Sequence, residues 1–270
     1  MNPMLSRWLR TLAYLTPVVA GVSAVSIVGL LAVRQVVPVE SLRASSDSVG
    51  NYLQTVGGIY AVLLAFVVYV VWGQFNDARG YVDREAAALV DLHRIASGLP
   101  ADERDEIQRG LAQYVDAVLA DEWHAMAKRD EVVIARVGER LDAVWTAIHN
   151  CEPQNDCQHT IWGEVLSRYN DLFDLRTSRL TSARTRIPIA MRILLYIGAV
   201  ITIGSMYLLA FDKLWLHAVT TGALAGAIGH ILFLIVELDS AYDRDWKVPT
   251  APFERARAKF NRTVAASPAT

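Results

Sequence analysis

Four side chains of metal-binding type crowd one short segment. In HNCEPQNDCQH, His149, Cys151, Cys157 and His159 offer two imidazoles and two thiols, sufficient in kind for a tetrahedral zinc ion. The gap between the cysteines matches no standard zinc spacing, so a disulfide and an ordinary polar loop are the other readings the segment permits. A second cluster, Glu237, Asp239, Asp243 and Asp245, puts four carboxylates within nine residues. Hard cations such as calcium take such oxygen ligands, yet this is not an EF-hand loop. Arg244 and Lys247 offset part of the charge, as they would at a solvated helix end. A third set is basic: Arg176, Arg179, Arg184, Arg186 and Arg192. Repeated around an oligomer it would concentrate anions; in a single chain it would bind headgroups and fix orientation. His217 and His230 are ionisable groups inside an apolar stretch, where they either sense protons or ions or bond across helices as neutral imidazoles.

No reaction is nominated. The chain has no G-x-S-x-G, no H-E-x-x-H and no Walker glycine loop, and hence no activated nucleophile, catalytic zinc pair or phosphate cradle. An enzyme is not expected. Its formal net charge of −2 gives no basic field for nucleic acid, and no aromatic-and-basic module accompanies it.

The elements that must position these groups are set by hydropathy. The chain is 53% hydrophobic, and the excess sits in blocks at residues 12–33, 56–72, 193–211 and 214–236 that contain no Asp, Glu, Lys or Arg. Each is close to the roughly 20 residues that cross a bilayer core of about 30 Å. The first is too long for the roughly 7–15-residue core of a signal peptide. Of 26 Lys and Arg, all but Arg34, Arg43 and Lys213 fall on one side of the implied membrane. The flanking Arg7, Arg10, Arg79, Arg84, Arg179, Arg184, Arg186, Arg192, Arg244 and Lys247 place that side in the cytoplasm. The expected protein is all-α and polytopic, in the cell inner membrane, with both termini cytoplasmic. It divides into a first transmembrane hairpin (1–76), a helical cytoplasmic domain continuous with the second helix (77–187), a second hairpin (188–238) and a C-terminal tail (239–270), frayed after Asn261.

Within the cytoplasmic domain, Phe75, Val82, Ala86, Leu89 and Leu92 continue the stripe of the second membrane helix as a stalk that stops at Gly98 and Pro100. Three further helices carry Ile107 to Met126, Val133 to Ile148 and Ile161 to Leu180, the last ending before Pro188. Gly222, Gly226 and Gly229 in the last block have the spacing that lets membrane helices approach closely.

The segments AVLLAF (61–66), EAAAL (85–89), LHR (92–94), the Glu122 and Trp123 pair, and LRTSRL (175–180) carry a resemblance to the bacterial family of bestrophin-like domains, over nearly the whole chain. The chain departs from that pattern at Ser240, Ala241 and Tyr242, where a Pro-Phe and a Gly are usual after the aspartate. Through similarity of topology to bestrophins, the resemblance implies a homo-oligomeric channel for small inorganic ions, usually a pentamer, with its pore lined by the second membrane helix. Ile59, Leu63, Phe66 and Val70 supply an apolar stripe for a constriction that gates by dewetting, with Phe66 the narrowest point. Asp77 and Asp83 would draw cations into a vestibule, and Arg176 and Arg179 anions. The competing reading is a membrane-anchored interaction or sensor protein that conducts nothing, its membrane helices facing only lipid and each other.

Overall fold

A computed structural model describes residues 3–244 and 246–266, with side chains for Ala13, 15–244 and 246–262. The side chains of Arg7 and Arg10, all of Asp245 and the final four residues lie outside that description. Every regular element among the described residues is helical, and four helices are long and apolar enough to cross a membrane. The protein is a polytopic, all-α membrane protein.

The chain forms two compact units. The first comprises Met1–Trp72 and Ile187–Asp239, the second Gly73–Arg186 and Ser240–Thr270. Helix α1 spans Pro3–Val36, followed by the short α2, Val39–Arg43. Helix α3 runs unbroken from Ser46 to Ile95, about 75 Å at 1.5 Å per residue. The first unit is completed by α8 (Ile189–Tyr207) and α9 (Leu214–Leu238).

In the first unit the glycines of α9 do what their spacing predicts. A Cβ on Gly222 would lie 3.0 Å from Ile27, one on Gly226 2.7 Å from the Ser23 hydroxyl, and one on Gly229 3.1 Å from Val22. Those three faces are filled by α1, and Ser23 donates to the Gly222 carbonyl at 2.8 Å. Lipid supplies no hydrophobic drive between helices, so close approach and polar links of this kind hold such pairs together. At the end carrying the α8–α9 turn, Arg34 donates to the Phe211 carbonyl (2.7 Å) and contacts His217 Nδ1 (2.9 Å). His217 Nε2 lies 2.7 Å from the Met206 carbonyl, which can only accept. The imidazole therefore carries its proton on Nε2 and presents the Nδ1 lone pair to Arg34. Between α3 and α8, Tyr60 lies across Gly198 and donates to the Leu195 carbonyl at 2.8 Å.

The second unit packs the Gly73–Ile95 part of α3 with α4 (Ala101–Ala117), α5 (Trp123–Lys128), α6 (Glu131–His149) and α7 (Asp156–Arg184). Its core contains Val82, Leu89, Leu92, Leu111, Leu141 and Leu172, all essentially without exposure. The C-terminal segment contains a further helix. Residues Ala251–Ala266 form helix α10, and Phe253, Ala256 and Phe260 are buried on one face of it. Their i, i+3, i+7 spacing is the signal that reveals it.

Because Tyr60 is anchored at its hydroxyl, its ring cannot retreat from a new methyl group 2.4 Å away. Gly198→Ala is expected to lower stability by about 1–3 kcal/mol, read as a lower melting temperature in detergent. Gly21→Ala, whose Cβ would meet nothing within 4 Å, should change stability by less than about 0.5 kcal/mol.

Candidate functional site

Glu85 occupies the buried stripe of α3, three residues after Val82 and four before Leu89, and has no solvent exposure. A carboxylate so placed must be paired to remain charged. Its partner is Arg179, from the middle of α7, which is also fully buried. Arg179 Nε donates to Glu85 Oε2 at 2.6 Å and Nη2 to Glu85 Oε1 at 3.2 Å. The same Nη2 donates to Glu122 Oε2 at 2.6 Å, so one guanidinium bridges two carboxylates, using the planar donor set that lysine lacks. Glu122 Oε1 accepts from Arg176, one turn before Arg179, and Arg176 also donates to the Ile134 carbonyl at 3.0 Å. Two glutamates thus face two arginines, and the buried charge is balanced.

Local structure delivers each group. Between α4 and α5 the helix opens into a π-helical turn over Val118–Glu122, and Glu122, its last residue, is buried together with Trp123 directly after it. Such single turns concentrate at functional positions. Tyr114, one turn earlier, donates to Glu85 Oε1 at 2.6 Å. Arg179 Nη1 points at the Met126 sulfur, 2.7 Å away, and the guanidinium lies 5.5 Å from the centre of the Phe253 ring. Trp123 meets Phe253 and Tyr242 edge-on, with centroids 6.0 and 5.6 Å apart. Tyr242, at the departure from the family pattern, is buried and lies within hydrogen-bond distance of both the Ala78 carbonyl and the Ser182 hydroxyl, 3.3 Å from each. Helix α10 and the turn before it therefore close over the network.

These positions correct several expectations. Arg179 cannot line a vestibule, because it has no solvent-facing surface and both its carboxylate partners are internal. Arg176 is nearly as enclosed, its side chain being 11% exposed. The rest of the basic run is also engaged: Arg184 with Glu131, Arg186 with the Ser240 hydroxyl and Arg192 with Asp239. Asp77 and Asp83 are exposed on α3, and Asp83 lies 3.7 Å from Arg255.

The two sets of side chains of metal-binding type are spread over separate surroundings as far as their residues are described. Among the described residues no group of three or more His, Cys, Asp and Glu side chains comes together to hold an ion. Cys151 is turned into the core while Cys157 is exposed at the start of α7, and both are free thiols. Burial, and then Glu103, pushes the Cys151 thiol above its usual range. His149 stacks near Trp145, and His159 is exposed on α7. Of the acidic cluster, Asp239 accepts from the Ile187 N–H (2.8 Å) and pairs with Arg192 (2.9 Å). It ties the start of α8 to the end of α9 rather than facing a cation. Glu237 is buried and Asp243 exposed.

In the membrane part of α3, Ile59 and Phe66 are 68% and 56% exposed, while Leu63 and Val70 are half-buried. The exposed ridge is completed instead by Val62 and Tyr69, 72% and 76% exposed. The opposite face, Tyr60, Leu64, Val67 and Val71, is buried.

The family model of the bestrophin-like domain matches residues 20–253. The chain belongs to the bestrophin-like family. Its fold is that of bacterial bestrophin homologues: the Klebsiella pneumoniae homologue aligns at a TM-score of 0.69 with 14% identity, covering 95% of this chain and 100% of that one. Two point variants of the Klebsiella protein align at TM-scores of 0.68 and 0.67, again with 14% identity, covering 90% and 94% of this chain and 99% and 98% of theirs. No protein of curated function matches in sequence. Glu85–Leu89, Glu122–Trp123 and Leu175–Leu180, scattered in sequence within the matched span, meet at one place, the network around Arg179.

Breaking this network is expected to be costly. Glu85→Gln leaves Arg179 short of a buried counter-charge and should destabilise the second unit by about 3–5 kcal/mol, measured by denaturant unfolding in detergent. Alkali should attack the same region. Burial pushes the Tyr242 phenol up to about 12, and burial together with Glu85 holds Tyr114 well above its ordinary value. Both are neutral in the fold, whereas unfolded tyrosine ionises near 10. The Tyr242 contribution is complete below pH 10 and is lost as pH rises from 10 through about 12, and the loss of the Tyr114 contribution begins at the same lower limit. Melting temperature should fall across that window, and less steeply in Tyr114→Phe.

Proposed function

We propose that this chain is a subunit of a homo-oligomeric channel for small inorganic ions, with α3 lining the pore. The observation that carries this reading is the ridge of Ile59, Val62, Phe66 and Tyr69, apolar residues spaced three and four apart and left exposed by the chain's own packing. Stacked around a closed ring, five-membered as the bestrophin resemblance implies, they form collars narrow and apolar enough to expel water. Phe66 is the tightest of them. Further along the same helix Asn76, Asp77 and Asp83 are exposed, while Arg176 and Arg179 are taken up by internal glutamates. Arg79 and Arg84 are exposed on the same stretch of α3 and Asp83 lies 3.7 Å from Arg255, so acid and base alternate along it. Both termini and the second unit face the cytoplasm of an inner-membrane protein, in keeping with the charge asymmetry of the flanking segments.

Two measurements test this. In planar bilayers, Phe66→Ala should widen and wet the constriction, giving larger and less gated current than the parent. The reversal potential in a potassium chloride gradient reads which sign of ion carries that current. Well-folded rings that pass no current with sodium, potassium or chloride, unchanged by Phe66→Ala, would sink the channel reading and leave a membrane-anchored interaction protein. For orientation, a membrane-impermeant maleimide should label Ser46→Cys in intact cells and fail to label Asp130→Cys.

A further inference from the structure

The first unit holds a cavity of about 680 Å³ between α3, α8 and α9, within the roughly 300–1,000 Å³ of small-molecule sites. It exists because small residues leave it unfilled. Gly57, Ala61 and Ala65 stand four apart on α3 and Ala227 faces them from α9. Unlike the glycines of α9 that α1 covers, Gly57 meets nothing within 4 Å of an added Cβ.

Its polarity runs in one direction. Gln54 and Thr202 lie toward the end where the Ser46 hydroxyl accepts from the Ala210 N–H in the α8–α9 turn (3.2 Å). From there to Val68 and Leu234 the walls are aliphatic apart from the Tyr60 ring, whose hydroxyl is already bonded to Leu195. Thr202 is 4% exposed and its hydroxyl has no hydrogen-bond partner. Ser205 and Thr220, on the same two hairpin helices, bond back to carbonyls of their own helix. A buried hydroxyl lining an apolar cavity without an acceptor calls for one from outside the chain.

We propose that this groove binds one acyl chain of a membrane phospholipid, with Thr202 Oγ1 donating to the ester carbonyl and the chain running past Ala61 and Ala65 toward Leu234. The groove extends from Gln54 to Val68, about 21 Å of helix at 1.5 Å per residue, more than half of a hydrocarbon core of about 30 Å. It therefore has the reach of one leaflet's chain. A helix of a second copy fits this polarity poorly, because its carbonyls are already bonded within itself and would leave Thr202 unsatisfied. The proposal rests on the membrane fold and not on conduction.

The test uses the full chain in phosphatidylcholine vesicles containing a phosphatidylcholine with a diazirine on one acyl chain, followed by peptide mapping of the photoadducts. Adducts should concentrate on residues 53–68 and 224–234, relative to the exposed Val200 and Trp215. Ala61→Phe, at a solvent-exposed position of the single chain, fills the groove and should reduce those adducts at least fivefold while leaving Val200 and Trp215 unchanged. Thr202→Val should reduce them several-fold with the ester-linked probe, and Thr202→Ser should restore them. An ether-linked probe, lacking the carbonyl, should give the low level in both the parent and Thr202→Val. Equal labelling of groove and exposed residues would overturn the proposal. So would a groove free of adducts in which Ala61→Cys forms a disulfide between copies, since a second chain would then be the occupant.

Discussion

Arg179 has no water to fall back on. A guanidinium held wholly inside a helical unit is tolerated only while its carboxylates stay in place, because the loss of either leaves an uncompensated charge in a medium of low dielectric. That requirement reaches most elements of the second unit. It fixes the rotation of α3 through Glu85, the π-helical turn through Glu122, the height of α7 through Arg176 and Arg179, and the seat of α10 through Phe253. Apolar contacts alone would allow these helices to slide by a turn with modest loss. A shared guanidinium bound to two carboxylates at 2.6 Å does not, and this is where buried ion pairs are best attested as devices for register.

The first unit is held by a different logic. With no hydrophobic drive in lipid, it depends on proximity: three glycines of α9 against α1, Gly198 beneath Tyr60, and single polar links from Ser23, Arg34 and Asp239. These contacts occupy the inner faces of the helices and leave a ridge and a groove along α3 unfilled. The ridge carries large side chains and suits a pore or a subunit contact. The groove carries small ones and one unmet hydroxyl.

Most of the architecture was legible in the sequence because hydropathy in blocks of membrane length has few alternative explanations, and because stripes at helical spacing mark helices whatever they pack against. The glycine spacing of α9 was equally readable. The site was legible only as scattered residues. Glu85, Glu122, Trp123, Arg176 and Arg179 all fall in segments carrying the family resemblance, but a charged residue type carries no sign of its own burial, so Arg176 and Arg179 read as surface cations. What distinguishes Glu85 is its place within an apolar stripe, a local inconsistency that marks a buried partner. The cysteine loop misled for the opposite reason: residue types suited to zinc lay close in sequence, while the fold turns Cys151 inward and leaves Cys157 on the surface. Helix α10 was missed because its Ala, Ser and Thr content toward the end masked the Phe253, Ala256 and Phe260 face.

The π-helical turn at Val118–Glu122 also bears on how this chain can change over evolutionary time. One residue more than an α-helix needs is stored there, and removing any one of the five would let the ordinary hydrogen-bond ladder close. The repaired helix would be locally more regular, yet every side chain after it would be turned by about 100°, carrying Trp123 and Met126 off the face they share with Arg179. Insertions and deletions should therefore be absorbed in connections such as the one between α6 and α7, where length is free to vary. The network therefore constrains the count of residues from Tyr114 to Met126 as a unit.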